Sequence, residues 1–458
     1  MDKHQTLTPE TQALIKDLAQ MAVSSDRIDS ALYEKLGVKR GLRDLDGKGV
    51  VCGLTEISEI VASQTDAQGN SVPAKGELFY RGYSIEDLVQ GFVDEDRLGF
   101  EETAYLLLTG KLPTRSGLDE FCALLSRMRS LPGSFVRDVI MKATSPDMMN
   151  LISRCVLTLY TYDNLAEDTS VDNVMRQSLQ LIARFPLLAV YSYQAHRHYN
   201  DKESLIIHNP LPGLSTAENV LRLLRPDGNF TPFEARILDL CLVLHVEHGG
   251  GNNSTFTTHV VTSSGTDTYS TVAASMGSLK GPRHGGANVK VHHMFEDMKK
   301  NLDTVTDETV SDYLQKLLDK QAFDGAGLIY GMGHAIYSLS DPRAEVLRRF
   351  VKRLATEKNL EQEYLLYEKV ERLAPEIISR QRKMYKGVSA NVDFYSGLVY
   401  SMLGIPPQLF TPLFAIARIA GWSAHRIEEI ANNGKIIRPG YTAVAPRMDY
   451  APLNSRKG

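Results

Sequence analysis

The chain has 458 residues, 43% of them hydrophobic, with 51 lysines and arginines against 55 aspartates and glutamates for a formal net charge of -4. That length allows about three average domains and a large core, and the near balance of charge excludes nucleic acid and an anionic membrane as principal partners. The four cysteines, Cys52, Cys122, Cys155 and Cys241, show no C-x-x-C spacing, which suits a reducing compartment, excludes a disulfide framework and a clustered zinc site, and makes a cytoplasmic location the expectation.

The first twenty residues carry Asp2, Glu10 and Asp17 and read as an ordinary helix, with neither a signal nor a transit profile. Nowhere do about 18 apolar residues run without charge, so no membrane span is predicted. One strand pair is predicted, "GVVCGLTEI" (49–57) with "GELFYRG" (76–82), across the turn-rich "TDAQGNSVPAK" (65–75). Helix starts then dominate: Ser84 with Asp87, Ser215 with Glu218, and Thr231-Pro232-Phe233-Glu234. Stops follow at Gly110, at Gly249 to Gly251 and at Gly404. The predicted fold class is all-α with a small β-hairpin near the N-terminus. Charged helical sequence fills 287–385 between more apolar flanks. A smaller domain over 285–390, set into a larger one made of 1–284 and 391–458, is the expected organisation.

The helix opened by Thr231 is expected to run to His248, because Ile237, Cys241, Leu244 and His248 share one face. A core histidine bonded to a carbonyl and a functional imidazole both fit that position. A metal reading of "HVEH" lacks the H-E-x-x-H pattern. His284 lies in "GPRHGGAN" (281–288), whose glycines permit close backbone approach. Two readings stand there: a hinge with an incidental histidine, or an uncharged imidazole ahead of a helix N-terminus, able to donate to a developing oxyanion. The following helix should bury Val291, Phe295 and Met298. "GLIYGMGHAIYSLSDPR" repeats the theme with Gly331, Gly333 and His334, and its Asp341-Pro342 puts Arg343 in a helical first turn. A cation there opposes the helix dipole, so surface solvation or a neighbouring anion has to account for it.

Asp393, in "NVDFYSG", precedes a helix and reads as an N-cap or as a general base. Arg418 lies in "TPLFAIARIAGW", a helix apolar around nearly its whole circumference and therefore buried. A buried guanidinium requires an anion, and no acid lies within helical reach, which favours a bound carboxylate. Arg438 follows in "KIIRPGY". Together these residues imply a substrate with more than one carboxylate, reacting by proton transfer and oxyanion stabilisation without metal or covalent nucleophile.

The motifs "LHVEHGGGNNSTF", "GPRHGGAN", "GMGHAIYSLSDPR", "NVDFYSG", "FAIARIAGW" and "IIRPGY", with "FYRGYSIEDL" near the start, resemble those of the citrate synthase family in order and spacing. The resemblance implies a two-domain helical acyltransferase acting as a homodimer on oxaloacetate and acetyl-CoA, with no cofactor and no metal. It implies that His284 bonds the thioester carbonyl while Asp393 removes a methyl proton, and that His334 polarises the keto group of oxaloacetate. Arg343, Arg418 and Arg438 would hold its carboxylates, His248 adding a hydrogen bond and Arg438 reaching the other subunit. Ser254 and Asn252 would stand behind His284 and orient it. An aspartate of ordinary pKa, about 3.9, is a feeble base for a carbon acid, so the enolate needs stabilising as it forms. Many family members carry a basic residue after the "GHA" histidine for coenzyme A phosphates; here Ser338 stands there, and Arg382, Lys383 and Lys386 are the substitutes suggested. A 2-methylcitrate synthase using propionyl-CoA shares the same catalytic set. A non-catalytic carboxylate- or CoA-binding module would have lost His284, His334 or Asp393, and all three are present.

Overall fold

The computed structural model describes residues 8–44, 48–333, 336–382 and 387–456, the side chain of Arg382 excepted. The chain divides into two compact units, Met1–Leu54 and Thr55–Gly458. The first carries α1 (Pro9–Ser25) and α2 (Ala31–Lys35). Helix α1 starts where Thr8 accepts the Thr11 N–H and Pro9 presets the first turn.

The second unit opens with three antiparallel strands in the order β1 (Ser58–Thr65), β2 (Ser71–Tyr80), β3 (Tyr83–Ser84). Ser58 pairs with Tyr80 and Thr65 with Ser71, so the first strand lies C-terminal to the predicted 49–57, and the second begins at Ser71, inside sequence read as turn. The solvent face of β1 carries polar residues, which hid the strand, and the real turn is confined to Asp66–Asn70. There Asp66 accepts the N–H groups of Gln68 and Asn70, and Gly69 takes φ +85°. Pro73 falls beside the register shift between Val61 and Ser63, where a missing N–H costs the ladder least.

Helices make up the rest: α3 (Ile85–Asp94), α4 (Phe100–Thr109), α5 (Arg115–Met128), α6 (Met148–Leu159), α7 (Val171–Asn200), α8 (Thr216–Leu224) and α9 (Pro232–His245). Then come α10 (Asn253–Thr262), α11 (Thr268–Leu279), α12 (Ala287–Asn301), α13 (Asp307–Leu318), α14 (Pro342–Lys358), α15 (Glu361–Arg382), α16 (Val392–Met402) and α17 (Phe410–Ala431). The architecture is all-α apart from the small sheet. Full capping boxes open α8 and α9 at the predicted Ser215–Glu218 and Thr231–Glu234 pairs. Helix α17 is the centre of the packing. Every residue from Phe410 to Arg426 is buried, and α4, α7, α9 and α10 pack around it. Among the described residues, no helix is long and apolar enough to cross a membrane.

Helix α9 ends at His245, three residues before the predicted end. Side chains take the carbonyls that further turns would have used. Arg418 Nε donates to His245 O at 2.8 Å, and the Tyr80 hydroxyl lies within reach of Val243 O and Glu247 O. His248 therefore stands in the turn after α9, not on its core face.

Candidate active site

The turn between α11 and α12 is tight. His284 N–H donates to Gly281 O and Gly285 N–H to Leu279 O, both at 2.9 Å. A Cβ on Gly285 would stand 2.5 Å from Leu279 O, so the bare backbone is a packing requirement here. His284 Nε2 lies 2.9 Å from Ser254 Oγ, in the first turn of α10. The same oxygen accepts the Trp422 indole N–H at 3.2 Å and lies 3.0 Å from Asn252 Oδ1. Burial, with the Arg418 charge second, lowers the His284 pKa to about 4. The imidazole is neutral at neutral pH.

Asp393 is not the N-cap of α16. Asn391 caps it, accepting the Asp393 N–H at 3.0 Å, so the Asp393 carboxylate is left for other work. Its Oδ1 is buried with no hydrogen-bond partner among the described residues. Burial raises its pKa to about 7, opposed by Arg343, reinforced by Asp341 and opposed by Arg418. The feeble base expected from sequence is thus corrected: desolvation matches this carboxylate to neutral pH.

Arg343 finds its anion two residues away. Asp341, the N-cap of α14, accepts Arg343 Nε at 3.0 Å and Nη2 at 2.8 Å, and both side chains are buried. Asp341 also accepts the Val392 N–H at 3.1 Å, tying α14 to the start of α16. Burial works against the Arg343 charge and Asp341 more than offsets it, holding its pKa above the ordinary arginine value.

Arg418 has no such partner. Nε is spent on His245 O, while Nη1 and Nη2 are buried without hydrogen-bond partners among the described residues. The guanidinium lies over the Phe414 ring, 4.8 Å from its centroid. Burial lowers its pKa to about 10, against the raising effect of Glu247. His245 stacks on Phe414 and is kept neutral by burial and by Arg343 and Arg418. His248 is buried, its ring edge-on to Tyr337 at 5.6 Å. Sequence reasoning weighed His245 only as a metal ligand beside His248 and passed over Tyr80, Tyr337 and Trp422. Only the paired histidines of "HVEH" gave a local signal for any of them.

The described structure therefore brings together His284 with Ser254 and Asn252, and Asp393 lies within the electrostatic reach of Arg343 and Arg418. His334, Lys383 and Lys386 lie outside the described residues, as does the side chain of Arg382. The backbone leading to His334 is nevertheless fixed by an isolated bridge: Gly333 N–H donates to Ser389 O at 2.7 Å, and Asn391 N–H to Gly331 O at 2.9 Å. Arg438 is exposed in the segment after α17, and no hydrogen bond joins it to this cluster among the described residues. Ser338 is half-buried in the loop before α14, and no hydrogen bond joins it to this cluster among the described residues.

A helical fold enclosing neutral imidazoles, a protonatable aspartate and buried guanidiniums defines an enzyme site for carboxylate chemistry. The model of the citrate synthase C-terminal domain matches residues 42–440. The citrate synthase of Synechocystis sp. is 36% identical over 389 residues, which cover 83% of this chain and 88% of that one. The 2-methylcitrate synthase 2 of Corynebacterium glutamicum is 30% identical over 417 residues, 89% of this chain and 96% of that one. Among solved structures, the ternary complex of carboxymethyl coenzyme A and oxaloacetate with citrate synthase from Thermoplasma acidophilum aligns with TM-score 0.73 at 26% identity, covering 91% of this chain and 99% of that one. The chain belongs to the citrate synthase family, and it is an acyltransferase of that type.

Proposed function

We propose that the enzyme condenses acetyl-CoA with oxaloacetate and hydrolyses the resulting citryl-CoA to citrate and CoA, the entry step of the tricarboxylic acid cycle. One observation carries this reading: a buried carboxylate oxygen on Asp393 and two buried guanidinium nitrogens on Arg418, all without partners among the described residues, belong to one electrostatically coupled cluster. Groups so costly to bury unpaired are accounted for by a carboxylate ligand and a proton to be moved.

Asp393 takes a proton from the thioester methyl group, and His284 Nδ1–H donates to the enolate oxygen. His334 polarises the keto group, and the nucleophilic carbon attacks it. Arg418 offers Nη1 and Nη2 to a substrate carboxylate, Arg343 offers the edge not bonded to Asp341, and His248 adds a hydrogen bond. Arg438 completes the site of the other subunit in a homodimer, a reading its exposed segment supports. Arg382, Lys383 and Lys386 neutralise coenzyme A phosphates. The 285–390 domain closes over the substrates and excludes water until condensation is complete.

This chemistry needs one tautomer of His284. A serine hydroxyl has a single proton, which goes either to Asn252 Oδ1 or to His284 Nε2. Only the second leaves the imidazole proton on Nδ1, facing the substrate, and it requires the Asn252 amide to present its NH2 to Ser254. Asn252→Asp, which can only accept, holds the Ser254 proton and forces the wrong tautomer. Aspartate still suits the N-terminus of α10. Turnover is expected to fall by about 10²-fold or more, whereas Asn252→Ala stays within about tenfold of wild type. Equal turnover in the two variants refutes the tautomer argument.

Thiol release from acetyl-CoA on adding oxaloacetate tests the function; no oxaloacetate-dependent release overturns it. Relatives named 2-methylcitrate synthase keep propionyl-CoA as the competing acyl donor. One methylene is worth about 1–3 kcal/mol in an apolar pocket, so the ratio of kcat/KM for the two thioesters separates the readings.

A further inference from the structure

Behind the substrate cluster, α10 and α17 face each other with ionisable side chains in a row. Glu429 Oε2 lies 2.8 Å from His259 Nδ1, His259 Nε2 lies 3.1 Å from His425 Nδ1, and His425 Nε2 lies 3.2 Å from Glu247 Oε1. Glu428 joins from the next turn, its Oε2 3.8 Å from His425 Nδ1. The other Glu428 oxygen accepts the Glu56 N–H at 2.7 Å, while Oε2 is buried with no hydrogen-bond partner among the described residues.

Counting protons exposes the difficulty. Glu429 faces the outer nitrogen of His259 and claims the one N–H of that neutral imidazole, whereas His425 Nε2, 3.2 Å from Glu247 Oε1, meets that carboxylate at ion-pair distance without a hydrogen bond among the described residues. With the His425 proton on Nε2, the side that faces the Glu247 charge, the inner nitrogens confront each other as lone pairs at 3.1 Å, with the Glu428 oxygen beside them. Three electron-pair donors then converge, a set that a metal cation satisfies together and that a proton on His425 Nδ1 satisfies only between the two rings. His259 is already held from behind by the Glu429 carboxylate and His425 has Glu247 at its back, the arrangement that orients histidine ligands in metal sites. The three donor atoms lie within 4.8 Å of one another. Zinc bonds of about 2.0–2.1 Å put tetrahedral ligand atoms about 3.3 Å apart, between the 3.1 and 3.8 Å separations found here. Gly250, beside both rings, leaves their flank without a side chain.

We propose that His259 Nε2, His425 Nδ1 and Glu428 Oε2 bind a divalent transition metal of the zinc class, with Glu429 and Glu247 orienting the imidazoles and water completing the coordination. The metal pins α10 to α17 behind the substrate cluster. His425 is two helical turns beyond Arg418, and Glu247 precedes His248, so the clamp braces two groups assigned to oxaloacetate.

The test uses the full chain without a histidine tag, stripped by chelator and dialysis, then titrated with Co²⁺ and read by visible absorption. One cobalt ion per chain should bind with d–d bands that Zn²⁺ abolishes, and zinc should raise Tm. His259→Ala and Glu428→Gln should lose the bands, and Glu429→Gln should bind cobalt about 10–100-fold more weakly. Circular dichroism checks folding, and if His259→Ala unfolds, Glu428→Gln decides alone. Wild type without visible bands, or a folded variant of His259 or Glu428 that binds cobalt as wild type does, overturns the proposal.

Discussion

Replacing Asp393 with asparagine is expected to lower turnover by about 10²–10⁴-fold and to make the substrate-free protein more stable at about pH 8 than wild type. The two effects share one cause. Burial lifts the Asp393 pKa to about 7, because the ionised carboxylate has lost water and gained no hydrogen bond at Oδ1. The folded-state pKa thus lies above the unfolded value, near 3.9. Between those values the native state holds the proton more tightly than the unfolded chain. Stability from this group is complete below about pH 4 and is lost as pH rises through about 7. Asparagine carries no such penalty, so its advantage in urea denaturation should be larger at about pH 8 than at about pH 5. Wild-type kcat/KM should rise through about pH 7 from the acid side as the base ionises, a limb missing from the variant. An equal stability difference at both pH values, or oxaloacetate-dependent thiol release that persists in the variant at wild-type rate, removes Asp393 from the role of base.

Sequence exposes charge without a local partner more readily than the partner it finds in space. Arg418 was legible because its helix is apolar on all sides, and burial of the whole stretch from Phe410 to Arg426 follows from that pattern. For Arg343 the sequence leaves solvation and a neighbouring anion both open, and it reads Asp341 as a cap; one carboxylate serves as cap and anion together. Asn391 and Asp393 are both cap residues two apart, so local rules could not say which would cap and which would stay free. The end of α9 depended on Tyr80 and Arg418, far away in sequence, taking its last carbonyls. His259 and His425 are 166 residues apart, and no spacing rule joins them. What remained hidden is what tertiary packing decides: which of several competent side chains is left unpartnered.

Arg418 shows the same trade from the binding side. Exchange for methionine, unbranched and apolar, is expected to weaken oxaloacetate binding by about 2–5 kcal/mol, a fall of roughly 30- to 5,000-fold in kcat/KM. The ligand-free protein should be no less stable. Losing the Nε bond leaves His245 O without its donor, at a cost of about 1–3 kcal/mol. Against that, a buried guanidinium whose two terminal nitrogens have no partner among the described residues is removed, and such charges cost several kcal/mol to desolvate. Oxaloacetate should raise the Tm of wild type by mass action and leave that of Arg418→Met unchanged. A variant that loses stability but binds oxaloacetate normally would make Arg418 a structural arginine and assign the substrate carboxylate elsewhere. The opposite pattern, affinity lost with the fold intact, means the enzyme keeps an unpaired cation in its core because the substrate supplies the counter-charge.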